Sequence, residues 1–212
     1  MSAKRLLDVL LSGAGLIASS PLWALIAPAI KLESPGPVFY TQARVGEGGR
    51  HFNAIKFRSM VENAEAGVGP VQATAHDPRV TRVGRMLRAT ALDELPQLWN
   101  IFRGHMSFVG PRPERPEFVR ARALGPNEIE PAADGRPVPL EAVPGFSARC
   151  TVTPGLTGLA QIYLRRDVTR RQKFRYDLLY VRRRSLMLDV RLIMLSFWIS
   201  LRGRWEARQP KF

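Results

Sequence analysis

Two adjacent carboxylates, Asp93 and Glu94, stand just ahead of Pro96, with Arg85 and Arg88 one to two helical turns upstream. At a helix start such a pair commonly does no more than cap free N–H groups and face the positive end of the helix dipole. Neighbouring cations open a second chemistry. An ionised aspartate can attack phosphorus, while the carboxylate beside it holds a hard cation such as Mg²⁺ through oxygen. Phosphoryl chemistry calls for anion, metal and arginines together, because charge on the phosphate oxygens has to be neutralised.

Arg112 is bracketed by Pro111 and Pro113, which fix the backbone around it and bias it to an extended conformation. A rigid loop presenting one guanidinium suits bidentate phosphate recognition, although a solvated arginine in a proline-rich turn has the same sequence. Lys56 and Arg58, two residues apart in the alternating segment IKFRSM, are expected on one face of a strand. The loop Pro154-Gly155-Leu156-Thr157-Gly158 could bring backbone N–H groups to a phosphate, but it matches no P-loop. His51, His76 and His105 are scattered without metal-site spacing.

The elements that must position these residues are legible in outline. Val9 to Ile30 is a run of 22 residues without charge, long enough to cross a hydrocarbon core as a helix. It is too long for a signal-peptide core, and a domain begins directly after it. A single span fits the length. However, basic residues flank both ends (Lys4 and Arg5 before, Lys31 and Arg44 after), and Ser19-Ser20-Pro21 interrupts the middle. A helix broken there would enter one leaflet and return to the same face, and this re-entrant form is the one expected. Ser34-Pro35-Gly36-Pro37 ends the segment. Residues 38–44 and 51–60 read as strands, 62–69 as a short helix or loop, and Pro96 as the start of a helix that Gly104 stops. A short helix is expected over 117–123. Residues 125–144 hold five prolines and four acidic residues and read as a solvated loop. Residues 172–201 read as helix. Its last ten residues, 192–201, carry no charge between Arg191 and Arg202, which is too short to span but suits either a membrane interface or a core.

The chain of 212 residues suffices for one well-buried domain, and 45% apolar residues exclude a disordered chain. One cysteine, Cys150, excludes an internal disulfide and a cysteine zinc cluster. The net charge of +14 directs the chain to anionic partners: nucleic acid, acidic lipid or phosphorylated substrates. The arginines gather around a carboxylate pair and form no uninterrupted basic stripe, and no aromatic-rich nucleic-acid signature is present, which argues against nucleic acid. A non-catalytic basic membrane-anchored module binding nucleic acid or lipid is the competing class. A lipid-phosphate transferase with two spanning helices would need a second long apolar run.

Taken together, KRLLDVLLSGAGLIASSPLW, SPGPVFYTQARVG, IKFRSM, TRVGRMLRATALDELPQLWNIFRGHMSFVGPRPERPEF, TPGLTGLAQI and RYDLLYVRRRSLMLDVRLI closely resemble the monotopic bacterial sugar transferases, phosphoglycosyl transferases acting on polyprenyl phosphate. The resemblance covers nearly the whole chain outside 124–140. It implies an α/β fold, mostly helical with a small sheet. A membrane-embedded re-entrant helix (1–33) and interfacial amphipathic helices would surround a catalytic domain (34–212) on the cytoplasmic face of the bacterial inner membrane, with 124–140 an insertion. It implies transfer of a phosphosugar from a UDP-sugar to undecaprenyl phosphate with release of UMP, the first membrane step of exopolysaccharide or glycoconjugate synthesis. Asp93 would be the nucleophile and Glu94 the Mg²⁺ ligand, with Lys56, Arg58, Arg88, Arg112 and Arg149 near the phosphates, joined by Asp177 and Tyr180. The implied partners are the UDP-sugar, polyprenyl phosphate and an anionic bilayer, with room for a homo-oligomer. Relatives commonly carry Arg-His where this chain has Arg149-Cys150, which removes any role of that histidine. Against larger relatives with an extra multi-span N-terminal region, the resemblance makes a minimal catalytic form the expectation.

Overall fold

The computed structural model describes residues 2–66, 77–120, 139–165, 168–203 and 205. A single helix, α1 (Ala3–Glu33), opens the chain and measures about 46 Å at 1.5 Å per residue. Ser2 caps it, its Oγ accepting from the Arg5 N–H at 3.2 Å, and it ends where the Ser34 N–H reaches the Ile30 carbonyl. It is the one helix among the described residues long and apolar enough to cross a membrane.

The break expected at Ser19-Ser20-Pro21 does not occur. Pro21 has no N–H for the Ile17 carbonyl, and the Ser20 hydroxyl donates to that carbonyl instead at 2.8 Å. Ser19 Oγ accepts from Trp23 Nε1 at 3.0 Å. The polar pair thus offsets the missing backbone donor, and the helix continues.

Strands β1 (Phe39–Val45) and β2 (His51–Phe57) form an antiparallel hairpin in which Tyr40 faces Lys56 and Gln42 faces Ala54. Helix α2 (Arg82–Thr90) follows, its free N–H groups at Arg82 and Val83 capped by the Glu33 carboxylate at 2.6 and 2.8 Å. Helix α3 (Gln97–Arg103) stops at Gly104, whose φ of 85° is the left-handed cap that glycine adopts at little cost. Strand β3 (Ser107–Val109) pairs in parallel with β4 (Gly155–Thr157). Short helix α6 (Leu159–Tyr163) packs with β3 through Ile162 and Val109, while α4 (Pro116–Arg120) and α5 (Phe146–Arg149) bring Phe118, Val119 and Phe146 together with Val45 of β1 and Phe174. Residues 121–138 lie outside the described residues and include most of the proline-rich loop and the rest of the helix expected over 117–123; the same holds for 67–69.

Two expectations change. The segment Pro154–Gly158 is built around strand β4 and is not an open anion loop: the Gly155 N–H goes to the Pro111 carbonyl at 2.9 Å and the Gly110 N–H to the Thr157 carbonyl at 2.9 Å. The C-terminal helix is two helices, α7 (Arg170–Arg183) and α8 (Leu186–Leu201), because Arg184 and Ser185 leave helical geometry. The Ser185 hydroxyl then caps α8 by accepting from the Leu188 N–H at 3.2 Å.

Helix α1 lies along the domain and is fastened to it at both ends. Near its start, Lys4 bonds the Asp189 carboxylate of α8 at 2.8 Å and the Val109 carbonyl at 3.0 Å, while Arg5 takes the terminal carbonyls of α3 at Ile101 and Phe102. Buried Asp8 accepts from the Ser107 hydroxyl and the Phe108 N–H. Toward its end, Ile26 and Ile30 pack with Phe57 and Leu87.

Candidate active site

Asp93 and Glu94 occupy a single 3₁₀ turn, Leu92–Glu94, between α2 and α3. Ala91, at φ 59°, makes the reversal out of α2. Because α3 begins only at Gln97 and has no side-chain cap, the two carboxylates do not serve as its N-cap. Asn100 of α3 fixes this turn against the hairpin: its Oδ1 accepts from the Ile55 N–H at 3.1 Å and its Nδ2 donates to the Asn53 carbonyl at 2.8 Å. That places the Lys56 ammonium 2.5 Å from Glu94 Oε1.

Arg112 reaches the same carboxylate from the proline loop, with NH2 at 2.7 Å from Oε1 and NH1 at 3.5 Å from Oε2. Burial works against the charge on Glu94, but the Arg112 and Lys56 charges and their hydrogen bonds hold its carboxyl far below the usual carboxylate range. Reciprocally, Glu94 raises Arg112. Burial is the largest influence on Lys56 and lowers it, opposed by Glu94.

Asp93 is treated differently. It is 8% exposed, and the same cations spend their hydrogen bonds on Glu94 and act on Asp93 only through space. Burial, joined by the charge of Glu94, pushes Asp93 up to about 6 against the pull of Lys56, Arg88 and Arg112. The expected simple stabilisation of an ionised Asp93 by nearby cations is therefore outweighed. The result is a buried carboxylate of raised basicity beside one locked in its charged form.

The other sequence-derived candidates divide. Arg149 NE lies 2.8 Å from Asp177 Oδ2, and Arg149 NH2 donates to the Arg112 carbonyl at 2.5 Å. These two residues thus hold the loop that carries Arg112. Tyr180 donates to Asp189 Oδ1 at 2.8 Å in the cluster that receives Lys4, within the junction of α1, α7 and α8. Arg58 does not join Lys56: β2 ends at Phe57, and the Arg58 guanidinium turns to Ser34 and to the Pro35 carbonyl, closing the end of α1. His51 and His105 are exposed, and His76 lies outside the described residues.

Three residues of the site went unnoticed in the sequence. Arg44 projects from β1 into the cleft that Lys56, Gln97, Arg112 and Pro113 line, and donates to the Pro113 carbonyl at 3.0 Å. Burial, then the charge of Arg112, brings it down to about 10. Its signal was the alternation Tyr40, Gln42, Arg44, which shares the face of Lys56. Gln97 opens α3, four residues after Asp93, and lines the same cleft. Glu114 closes the proline loop through Arg170 at 2.8 and 2.9 Å; burial opposes its charge, yet Arg170, Arg149 and Arg44 hold it below the usual range.

The donor set also bears on a divalent cation. Among the described residues no group of three metal-ligating side chains exists. Mg²⁺ is commonly bound through one or two carboxylates, with the remaining positions taken by water and substrate phosphate. Asp93 and Glu94 fit that mode and no closed cage.

The structure thus sets a cleft lined by Arg44, Lys56 and Arg112, two of which bond Glu94, in a domain that carries one long apolar helix. The profile of the bacterial sugar transferase family matches residues 1–203, and the chain belongs to this family. It is 42% identical over 203 residues to the undecaprenyl-phosphate glucose phosphotransferase of Komagataeibacter xylinus, covering 92% of this chain and 35% of that protein. It is 40% identical over 199 residues to the UDP-glucose:undecaprenyl-phosphate glucose-1-phosphate transferase of Xanthomonas campestris pv. campestris, covering 92% and 38%. The exopolysaccharide production protein PSS of Rhizobium leguminosarum bv. phaseoli is 38% identical over 195 residues, and there the match covers 90% of each chain. The chain thus spans little more than a third of the first two relatives.

Proposed function

We propose that this chain transfers a sugar 1-phosphate from a UDP-sugar to polyprenyl phosphate through a covalent intermediate on Asp93. The observation that carries the reading is the division of labour in the dyad: Glu94 is held by Lys56 and Arg112, while buried Asp93 keeps its basicity. An Asp93 oxygen attacks the sugar-linked phosphorus, the bond from that phosphorus to the oxygen bridging to UMP breaks, and UMP leaves with the electron pair. The polyprenyl phosphate oxygen then attacks the same phosphorus, breaks its bond to Asp93 and forms the lipid diphosphate sugar. Arg112, Lys56, Arg44 and Arg88 bind and orient phosphate oxygens, and Arg149 with Asp177 keeps Arg112 in place. Glu94, with Asp93 beside it, would hold Mg²⁺, which when bound neutralises charge on the diphosphate. UDP-glucose is the donor to test first, since two of the relatives are named for glucose.

The setting is the cytoplasmic face of the bacterial inner membrane, with α1 embedded from one side. Support comes from exposed apolar side chains on α1 (Leu10, Ile17, Leu25, Leu32) and on α8 (Met187, Met194, Phe197, Leu201). Arginines sit over exposed indoles at this surface, Arg202 over Trp198 and Arg103 over Trp99, as at a headgroup boundary.

The test mixes detergent-solubilised protein, Mg²⁺ and sugar-labelled UDP-glucose without acceptor. A stoichiometric labelled adduct on the Asp93 peptide, absent from Asp93→Asn, and parallel initial-rate plots are expected. Intersecting plots without adduct would overturn the covalent route in favour of direct transfer. No UMP release from any UDP-sugar would favour a binding module.

A further inference from the structure

The cleft whose Lys56 and Arg112 hold Glu94 contains a donor with nothing to donate to. Gln97 is 3% exposed, and its amide Nε2 meets no hydrogen-bond acceptor. Buried amide N–H groups are almost always paired, and an orphan costs stability that an apolar residue of the same shape would not. This one lines the cleft with Arg44, Lys56, Arg112 and Pro113. Three of those neighbours are cations, so the occupant that reaches Gln97 is an anion rich in acceptor oxygens. Their charges supply attraction but only loose direction, because Lys56 and Arg112 are already turned to Glu94. A neutral amide in the same cleft, four residues after Asp93 in the chain, supplies direction without adding a positive charge that would weaken the nucleophile.

We propose that the Gln97 carboxamide N–H donates to a non-bridging oxygen of the phosphate that Asp93 attacks, orienting phosphorus toward the carboxylate. The inference rests on the reading of the site as phosphosugar transfer. It makes Gln97 a substrate contact whose value appears in the reaction with the donor, before any lipid is involved.

Two variants test it. Gln97→Leu keeps the volume and removes the donor; Gln97→Glu keeps the shape, cannot donate when ionised and repels phosphate. Each is compared with wild type for UMP release from UDP-glucose without acceptor, for kcat and KM, and for Tm. The expected result is a loss of kcat/KM of roughly 10²-fold in Gln97→Leu, the size seen when one oriented donor is removed from a reacting oxyanion. Its Tm should be unchanged or raised, since the orphaned amide is gone. Gln97→Glu should lose at least as much. A structural role for Gln97 would instead lower Tm in Gln97→Leu and leave Gln97→Glu active, which overturns the proposal. Wild-type kcat/KM in Gln97→Leu overturns it as well. If the wild-type protein itself releases no UMP from any UDP-sugar, the reading of the whole site falls, and this contact with it.

Discussion

Glu94 and Glu114 are each gripped by arginine, and both stay charged inside the protein for that reason. For Glu114 the consequence can be read in stability. Its native pKa lies below the ordinary glutamate value, so the Arg170 pair stabilises the fold above about pH 4.3 and loses that contribution as pH falls through the lower native value. Glu114→Gln should cost about 2 kcal/mol near neutrality, a hydrogen-bonded charge removed, and lower Tm by roughly 5 °C. The gap from wild type should hold steady above about pH 4.3 and narrow as pH falls below it, closing only once pH has passed the lower native value. Thermal scans across pH 3 to 7 check this, and a gap independent of pH would show that the carboxylate charge is not what stabilises. Among the candidate site residues, Asp93, Glu94, Lys56 and Arg112 were legible because each stands in a short, chemically marked segment. Arg44, Gln97 and Glu114 were not: alternation puts Arg44 on a face of β1 without saying what that face meets, and nothing local marks Gln97 or Glu114. Arg44 matters only once β1 pairs with β2 in the register that sets Tyr40 opposite Lys56. Arg58 misled for the converse reason: spacing of two implies a shared face only while the strand lasts, and β2 ends one residue earlier.

At the scale of elements, the site is an assembly of turns held by ladders. The Arg112 loop leaves β3, is tied back by the Gly155 N–H at Pro111, and is gripped by Arg149 at the Arg112 carbonyl. Gly155 must be glycine here, since a Cβ would stand 2.0 Å from the Gly110 nitrogen. Arg149 in turn is fixed by Asp177 of α7. Asp177 therefore acts through Arg112, and the two should be coupled. Arg112→Lys keeps charge but loses the fork, and kcat/KM should fall on the order of 10²-fold. Asp177→Asn should fall by about tenfold, and the double variant by clearly less than the product, the mark of residues sharing one task. Full additivity in initial-rate measurements would separate Asp177 from the loop. The two strands, α3 and its glycine stop were readable from alternation and from Gly104, although the pairing of the strands was not. The division of 172–201 into α7 and α8 was not, because the arginines at 182–184 continue a helical pattern and only the capping role of Ser185 reveals the break. The strand at Gly155–Thr157 was likewise hidden, since three residues show no period and their pairing is with β3, far away in sequence.

For the whole molecule the decisive feature is that a helix about 46 Å long is fastened to one domain at both ends. Lys4 and Arg5 bind α8 and α3; Glu33 caps α2, and Arg58 closes on Ser34. A helix crossing the bilayer would carry its two ends to opposite faces, and the domain cannot follow across some 30 Å of hydrocarbon without breaking one set of these contacts. Burying either charged cluster in lipid would leave buried ions unpaired, at a cost far above that of embedding the helix from one side. The Ser20 hydroxyl at the Ile17 carbonyl satisfies the acceptor that Pro21 leaves open, which apolar surroundings would require whichever way the helix is embedded. Both ends of α1 should therefore face the cytoplasm. In a Cys150→Ser background, single cysteines at positions 2 and 40 of the protein expressed in bacteria should both resist an impermeant thiol reagent added from the periplasmic side, and both should react once the inner membrane is opened. Labelling of position 2 alone in intact cells would mean that α1 spans the bilayer, and the contacts of Lys4 and Arg5 with α8 and α3 could then not coexist with those of Glu33 with α2.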